Sequence, residues 1–241
     1  MLIKKFALSL MGAACLLATP MFASAEEVPT KPEVAETRDS YLIVTRQDFR
    51  KCAYPMCGGY FVKAVNKPRT RCADGTLQPE CHAVQLNARA LGWTDEQRAA
   101  FDAEFAQGKA IVRGVLEPAP AGFYTADQLT ITEAWSAQGD KKPMGFFYGV
   151  KSTGIVCITT PCPSLAAIKL NTLSKPVNPS LDLSPSGVDD RTLQAGLEAL
   201  NTSGILASGV IVPMPVNGTL DGKVRRELKL IANQFYVPAK P

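Results

Sequence analysis

CAYPMCGGYFVKAVN, Cys52–Asn66, and CITTPCPSLAAIKLN, Cys157–Asn171, are one phrase written twice: two cysteines five positions apart, then an asparagine nine positions beyond the second. The flanking residues extend the parallel in order. YLIVT at Tyr41 precedes the first cysteine pair and FFYGV at Phe146 precedes the second, both aromatic and β-branched runs of the kind that form strands. YFVKAVN and LAAIKLN follow as second strands, and HAVQLN at His82 and LDLS at Leu181 supply a weaker third. A helix comes next in each copy. Thr94 and Gln97 have capping-box spacing, Phe101 and Phe105 share a face, and Gly108 ends the run. In the second copy Asp189 or Asp190 caps, Leu193, Leu197 and Leu200 form the apolar stripe, and Gly204 stops it. Such stripes predict core-facing helices. GVLEP at Gly114 and GVIVP at Gly209 then open a fourth strand, with LTITEAW at Leu129 and LKLIANQFYV at Leu228 as the fifth.

Each copy therefore reads β-β-β-α-β-β, and the chain reads as a mainly β protein with α (α+β) built by tandem duplication. That order matches a small oligonucleotide- and oligosaccharide-binding (OB-like) barrel. Order alone does not fix strand pairing, so an open antiparallel sheet with a helix on one face is the alternative. The expected divisions are a first β-rich domain over 39–137 and a related second over 144–241, separated by the turn-rich SAQGDKKP, Ser136–Pro143. Two separate units and a merged single body both satisfy this pattern.

The first 25 residues combine Lys4 and Lys5, an apolar run from Phe6 to Phe22 and the small-residue stretch Ala23-Ser24-Ala25. That is a secretory signal with cleavage after Ala25, followed by a flexible segment over 26–38. Lipidation at Cys15 is the weaker alternative, because Gly12 stands where a branched apolar residue is expected. The apolar run is short for a bilayer span and contains Pro20. Loss of Lys4 and Lys5 leaves 24 basic against 22 acidic side chains, or +2. So small a charge argues against nucleic acid as a partner, and KPRTR (Lys67–Arg71) and KVRR (Lys223–Arg226) read as solvated surface.

Six cysteines remain after cleavage, an even number that in an exported chain predicts a disulfide framework. The second copy contains only Cys157 and Cys162, so these pair with each other. By correspondence Cys52 pairs with Cys57, leaving Cys72 for Cys81. Each closes a short loop, for which chain entropy gives about 2 kcal/mol. The rival is a zinc site from Cys52, Cys57, Cys72, Cys81 and His82, disfavoured by the C-x4-C spacing and by oxidation.

The stretch from YLIVTRQDFRKCAYPMCGGYFVKAVN through CADGTLQPECHAVQLN, with GIVCITTPCPS later, resembles the DUF6748 family of exported bacterial domains of unknown function. Asp48 and Arg50, CGGYF, and the CADG to EC segment carry the resemblance. It implies export and no catalytic residue, cofactor or substrate.

No nucleophile elbow, metalloprotease helix, P-loop or dinucleotide fingerprint is present. The single histidine, His82, has no partner constellation in sequence and reads as a half-buried hydrogen-bonded residue. Asp74, Glu80, Glu117 and Glu133 are available for a carboxylate-based hydrolase, although Asp74-Gly75 reads better as a tight turn. Gly58 and Gly59 predict a bend entering the second strand, and Trp93 and Trp135 read as core rather than sugar-stacking surfaces. The expectation is thus a binding or structural module with no cofactor and no metal. Its candidate binding loops are Tyr54, Pro55, Met56, Gly58, Gly59 and Thr159, Thr160, Pro161. The partner would be an extracellular glycan or peptide, or a protease inhibited by a cystine-tied loop.

Overall fold

Alternation along the first strand sets the layering. Leu42 and Val44 face one apolar cluster while Tyr41 and Ile43 face another, the period of two that a strand buried on both sides requires. The computed structural model describes residues 39–158, 162–220 and 223–239. The expected signal, Cys15, Ala25 and the 26–38 segment lie outside them, as do Thr159, Thr160 and Pro161. In chain order the elements are β1 (Ser40–Gln47), β2 (Tyr60–Ala64), β3 (Thr70–Arg71), β4 (Leu77–Gln78), β5 (Cys81–Ala83), β6 (Gln85–Asn87), α1 (Asp95–Ala106), β7 (Ala110–Ala121) and β8 (Tyr124–Gln138). Then come β9 (Phe146–Ser152), β10 (Leu165–Lys169), β11 (Ser180–Asp182), α2 (Asp190–Ala199), β12 (Ile205–Leu220) and β13 (Lys223–Pro238).

One mostly antiparallel sheet runs β10-β9-β12-β13-β8-β7-β1-β2-β5, with β6 parallel to β8 and β11 parallel to β13; β3 and β4 form a separate ribbon. The same pairings occur on either side of the β8–β13 join: β1 with β2 and β7 as β9 with β10 and β12, and β7 with β8 as β12 with β13. The expected OB-like barrel is not what the described strands build. To close on itself, each half would need the outer edge of its last strand. Instead, Gln128–Thr130 of β8 holds β6, and Trp135–Gln138 holds β13. Residues 229–231 of β13 likewise hold β11. Of these pairings β8 with β13 joins the halves, while β6 and β11 occupy the rest of those edges from within their own halves, and the sheet is open. All of the described residues fall in one compact unit.

The glycines of GVLEP and GVIVP sit at matching irregularities. Pairing shifts at Arg113/Gly114 and at Ser208/Gly209. A Cβ on Gly114 would lie 2.2 Å from the Thr130 carbonyl oxygen, and one on Gly209 2.1 Å from that of Ile231. Only glycine lets the neighbouring strand approach so closely.

Three apolar clusters hold the body. α1 presses Phe101 and Phe105 against Leu42, Val62, Ala83, Ala110, Leu129 and Ile131. Its start is fixed by the reciprocal capping box of Thr94 and Gln97. α2 is capped by Asp189, whose carboxylate accepts from the Thr192 amide. Its buried side is Leu193, Gly196 and Leu200, because Phe235 of the sheet occupies the space a side chain at 196 would need. Leu197, expected on that stripe, is exposed instead. A third cluster, with Ile111 and Trp135 from the first half and Phe147, Leu206 and Tyr236 from the second, lies between the halves on the sheet face away from both helices.

The repeated asparagines close this interface. Asn66 and Asn171 both adopt left-handed backbone, φ 59° and 55°. The Asn66 amide accepts from the Phe147 N–H at 2.9 Å and donates to the carbonyls of Phe147 (2.7 Å) and Leu170 (3.0 Å). The Asn171 amide accepts from the Tyr41 N–H at 2.9 Å and donates to Tyr41 (2.8 Å) and Val65 (2.9 Å). Each asparagine therefore satisfies backbone at the start of the other half's first strand, where a buried unpaired amide would be costly.

Candidate functional site

The connection from β1 to β2 is a short chain held at many points. Its disulfide joins Cys52 to Cys57, and the others join Cys72 to Cys81 and Cys157 to Cys162. Both sulfur pairs that the zinc alternative needed are thus oxidised, and that site loses its thiolate ligands. Within the loop Pro55 and Cys57 point inward, and Tyr54 and Met56 point out. The Tyr54–Pro55 peptide is cis. Gly58 and Gly59 have φ of 91° and 72°, and a Cβ on Gly59 would lie 2.2 Å from the Ala83 carbonyl oxygen. They make the bend into β2 that their placement predicted.

Beneath the loop sits Asp48, only 6% exposed. The Arg50 guanidinium grips its carboxylate with Nε at 2.8 Å and Nη2 at 2.7 Å, and the Arg50 amide donates to it at 3.1 Å. Arg50 Nη2 also reaches the Met56 carbonyl at 3.3 Å. His82 Nε2 lies 2.7 Å from the Gly58 carbonyl oxygen and 3.2 Å from Asp48 Oδ2, so this nitrogen donates. The paired guanidinium holds the Asp48 carboxyl well below the usual carboxylate range. His82 stacks on Phe61 at 4.8 Å, and Arg46 covers the Phe61 ring at 3.4 Å while pairing with Glu80 at 2.6 Å. The outcome is a braced loop that still presents large apolar side chains: Phe49 is 79% exposed, Met56 59% and Tyr54 53%.

The remaining residues singled out from sequence do not gather there. Glu80 is engaged by Arg46 and Thr45, Glu117 by Thr130, and Asp74 by the Thr76 amide and hydroxyl in the expected turn. Glu133 belongs to another place. It lines a cleft of about 360 Å³ between the halves, together with Tyr41 and Trp135 from one side and residues of β9, β10 and β12 from the other. Its Oε1 accepts from Arg113 at 2.8 Å; its Oε2 accepts from the Tyr41 hydroxyl and the Trp135 ring N–H, both at 3.3 Å. Arg113 also pairs with Asp39 at 2.8 Å. Burial, with Glu133 adding to it, pushes the Tyr41 hydroxyl up to about 12. Trp93 is half-buried against Phe101 at 4.9 Å, while Trp135 is core on one side and cleft wall on the other. Arg113 and Glu133 are direct cross-strand partners, a relation visible only once β7 and β8 are in register. The second cystine loop exposes Ile155, Val156 and Ile158 and has no counterpart of Asp48, Arg50 or His82 among the described residues.

Fold and site together define a disulfide-stabilised, mainly β domain with two helices. Among the described residues no helix is long and apolar enough to cross a membrane. The model of the DUF6748 family, described as a domain of unknown function, matches residues 41–241, and the chain belongs to that family. The match begins in β1 and takes in both halves, so the family unit is the joined sheet rather than either half. No curated protein and no solved structure matches the chain.

Proposed function

We propose that the chain is an exported, disulfide-stabilised binding module whose contact surface is the first cystine-tied loop, and that its two halves are duplicated copies of one unit of which only the first carries this surface. The observation that carries the reading is the pairing of rigidity with exposure. Asp48, Arg50, His82 and the Cys52–Cys57 bridge fix the loop from below, while Phe49, Tyr54 and Met56 stand in solvent. Exposed apolar and aromatic side chains that are already ordered lose little conformational entropy when a partner covers them. The partner best suited is a polypeptide, since Phe49, Tyr54 and Met56 offer apolar contact with few polar groups. Three oxidised bridges accord with export.

A photo-crosslinking residue in place of Tyr54 or Met56, in protein exposed to the exported fraction of the producing cells, tests this. A discrete adduct from these positions, absent when the probe replaces Leu173, and lost on Cys52→Ser/Cys57→Ser, is expected. Adducts that form equally from Leu173 would overturn it. An inhibitor is a narrower version of the same reading: a protease partner would leave CAYPMC intact, and rapid cleavage of that loop would exclude it.

A further inference from the structure

The cleft between the halves is separate from the cystine-tied loop and nothing in the proposed contact uses it. Its walls are chiefly aromatic and aliphatic, with Tyr41 and Trp135 from the first half and Ile168 and Ala166 from the second. One carboxylate, Glu133, sits at this wall and remains half-exposed, 36% by side chain. Its two contacts from Tyr41 and Trp135 are long, at 3.3 Å, so they are weak hydrogen bonds that a charged donor can displace. Two carboxylates, Asp39 and Glu133, share the single guanidinium of Arg113, which leaves that network one negative charge in excess. The Tyr41 ring already carries one cation over it, the Arg113 guanidinium at 5.6 Å.

We propose that this cleft binds a small organic cation, an ammonium or guanidinium group on an apolar body, with the charge at Glu133 and the body between Tyr41, Trp135 and Ile168. Aromatic faces beside a half-exposed carboxylate favour this over a neutral ligand of the same shape, because both the ring quadrupole and the Glu133 charge select for positive charge at that point of the wall. Burial is the main reason the Tyr41 hydroxyl is raised, and Glu133 adds to it more than Arg113 opposes it. Lys151 also lines the cleft and is exposed. It competes with a bound cation, which supplies a discriminating variant.

The test uses benzylammonium as probe and benzyl alcohol as its neutral counterpart, with the disulfide-intact protein and tryptophan fluorescence as the signal, because Trp135 is in the wall. Saturable change with benzylammonium and none with benzyl alcohol over the same range is expected. Glu133→Gln should weaken the response tenfold or more, and Lys151→Gln should tighten it two- to fivefold. Equal binding of benzyl alcohol, no saturable change, or weaker binding in Lys151→Gln would each overturn the proposal. Preference for the anion hydrocinnamate would do so too, by making Lys151 the anchor. Should Glu133→Gln fail to fold, the neutral probe and Lys151→Gln still decide the matter.

Discussion

Asn66 and Asn171 make the same three kinds of contact, each into the other half, at 2.7–3.0 Å. The cystine loops that precede them share spacing and bridge, yet their surroundings differ. The first lies over a buried Asp48, which is held by the exposed Arg50 and by His82, and the second has no such brace among the described residues. Where one half depends on the other, side chain and geometry coincide, and where a loop faces solvent they differ. The helices part in a similar way. α1 delivers Phe101 and Phe105 onto small residues such as Ala83 and Ala110, whereas α2 offers Gly196 to Phe235 rising from the sheet. The volume is filled from opposite sides.

The comparison can be broken at several points. The largest effect is expected for Phe105→Ala, about 3–5 kcal/mol by denaturant unfolding, since the whole ring is buried; Leu197→Ala, on the exposed side of α2, should stay within about 0.5 kcal/mol. Next, Asn66→Ala or Asn171→Ala should cost about 2–4 kcal/mol, from orphaned backbone groups plus a left-handed alanine. Glycine at either position restores the backbone but not the amide, so Asn66→Gly should fall between alanine and wild type; equal losses would remove the φ argument. Gly196→Ala should cost about 1–3 kcal/mol, because the added methyl would lie 2.5 Å from the Phe235 ring.

The smallest effect concerns acid. Asp48 has its folded pKa depressed by Arg50, so its contribution to stability is complete above the unfolded carboxylate range, about pH 4, and is lost as pH falls below it toward the folded value. The melting-temperature gap between wild type and Asp48→Asn should hold steady above pH 5 and shrink as pH is lowered toward 2. A gap that widens on acidification would reverse the sign of the proposed brace.

Much of this architecture was legible because it is periodic or local. The strands at Tyr41 and Phe146 and the Thr94–Gln97 cap follow from spacings within a dozen residues, and the Cys52–Cys57 pairing follows from its correspondence with Cys157 and Cys162. Sheet closure was not, because it turns on which strand takes the outer edge of β8, and nothing in LTITEAW distinguishes β13 from a partner in its own half. Leu197 was misplaced for a related reason: Gly196 gives no apolar signal, so the stripe drifted past the position where Phe235 enters. The Tyr41–Glu133–Arg113 network joins residues from three strands, and His82 meets Asp48 across 34 positions of chain. Such contacts exist only after register is set.

Reciprocal dependence of the halves is the central claim, and hydrogen exchange read residue by residue tests it most directly. In wild type the amides of Tyr41, Val65, Phe147 and Leu170 should exchange only through the global opening of the sheet. In Asn66→Ala, protection should fall first at Phe147 and Leu170, in the half that does not carry the substitution. Loss confined to residues around Asn66 itself, with Phe147 and Leu170 unchanged, would contradict the account.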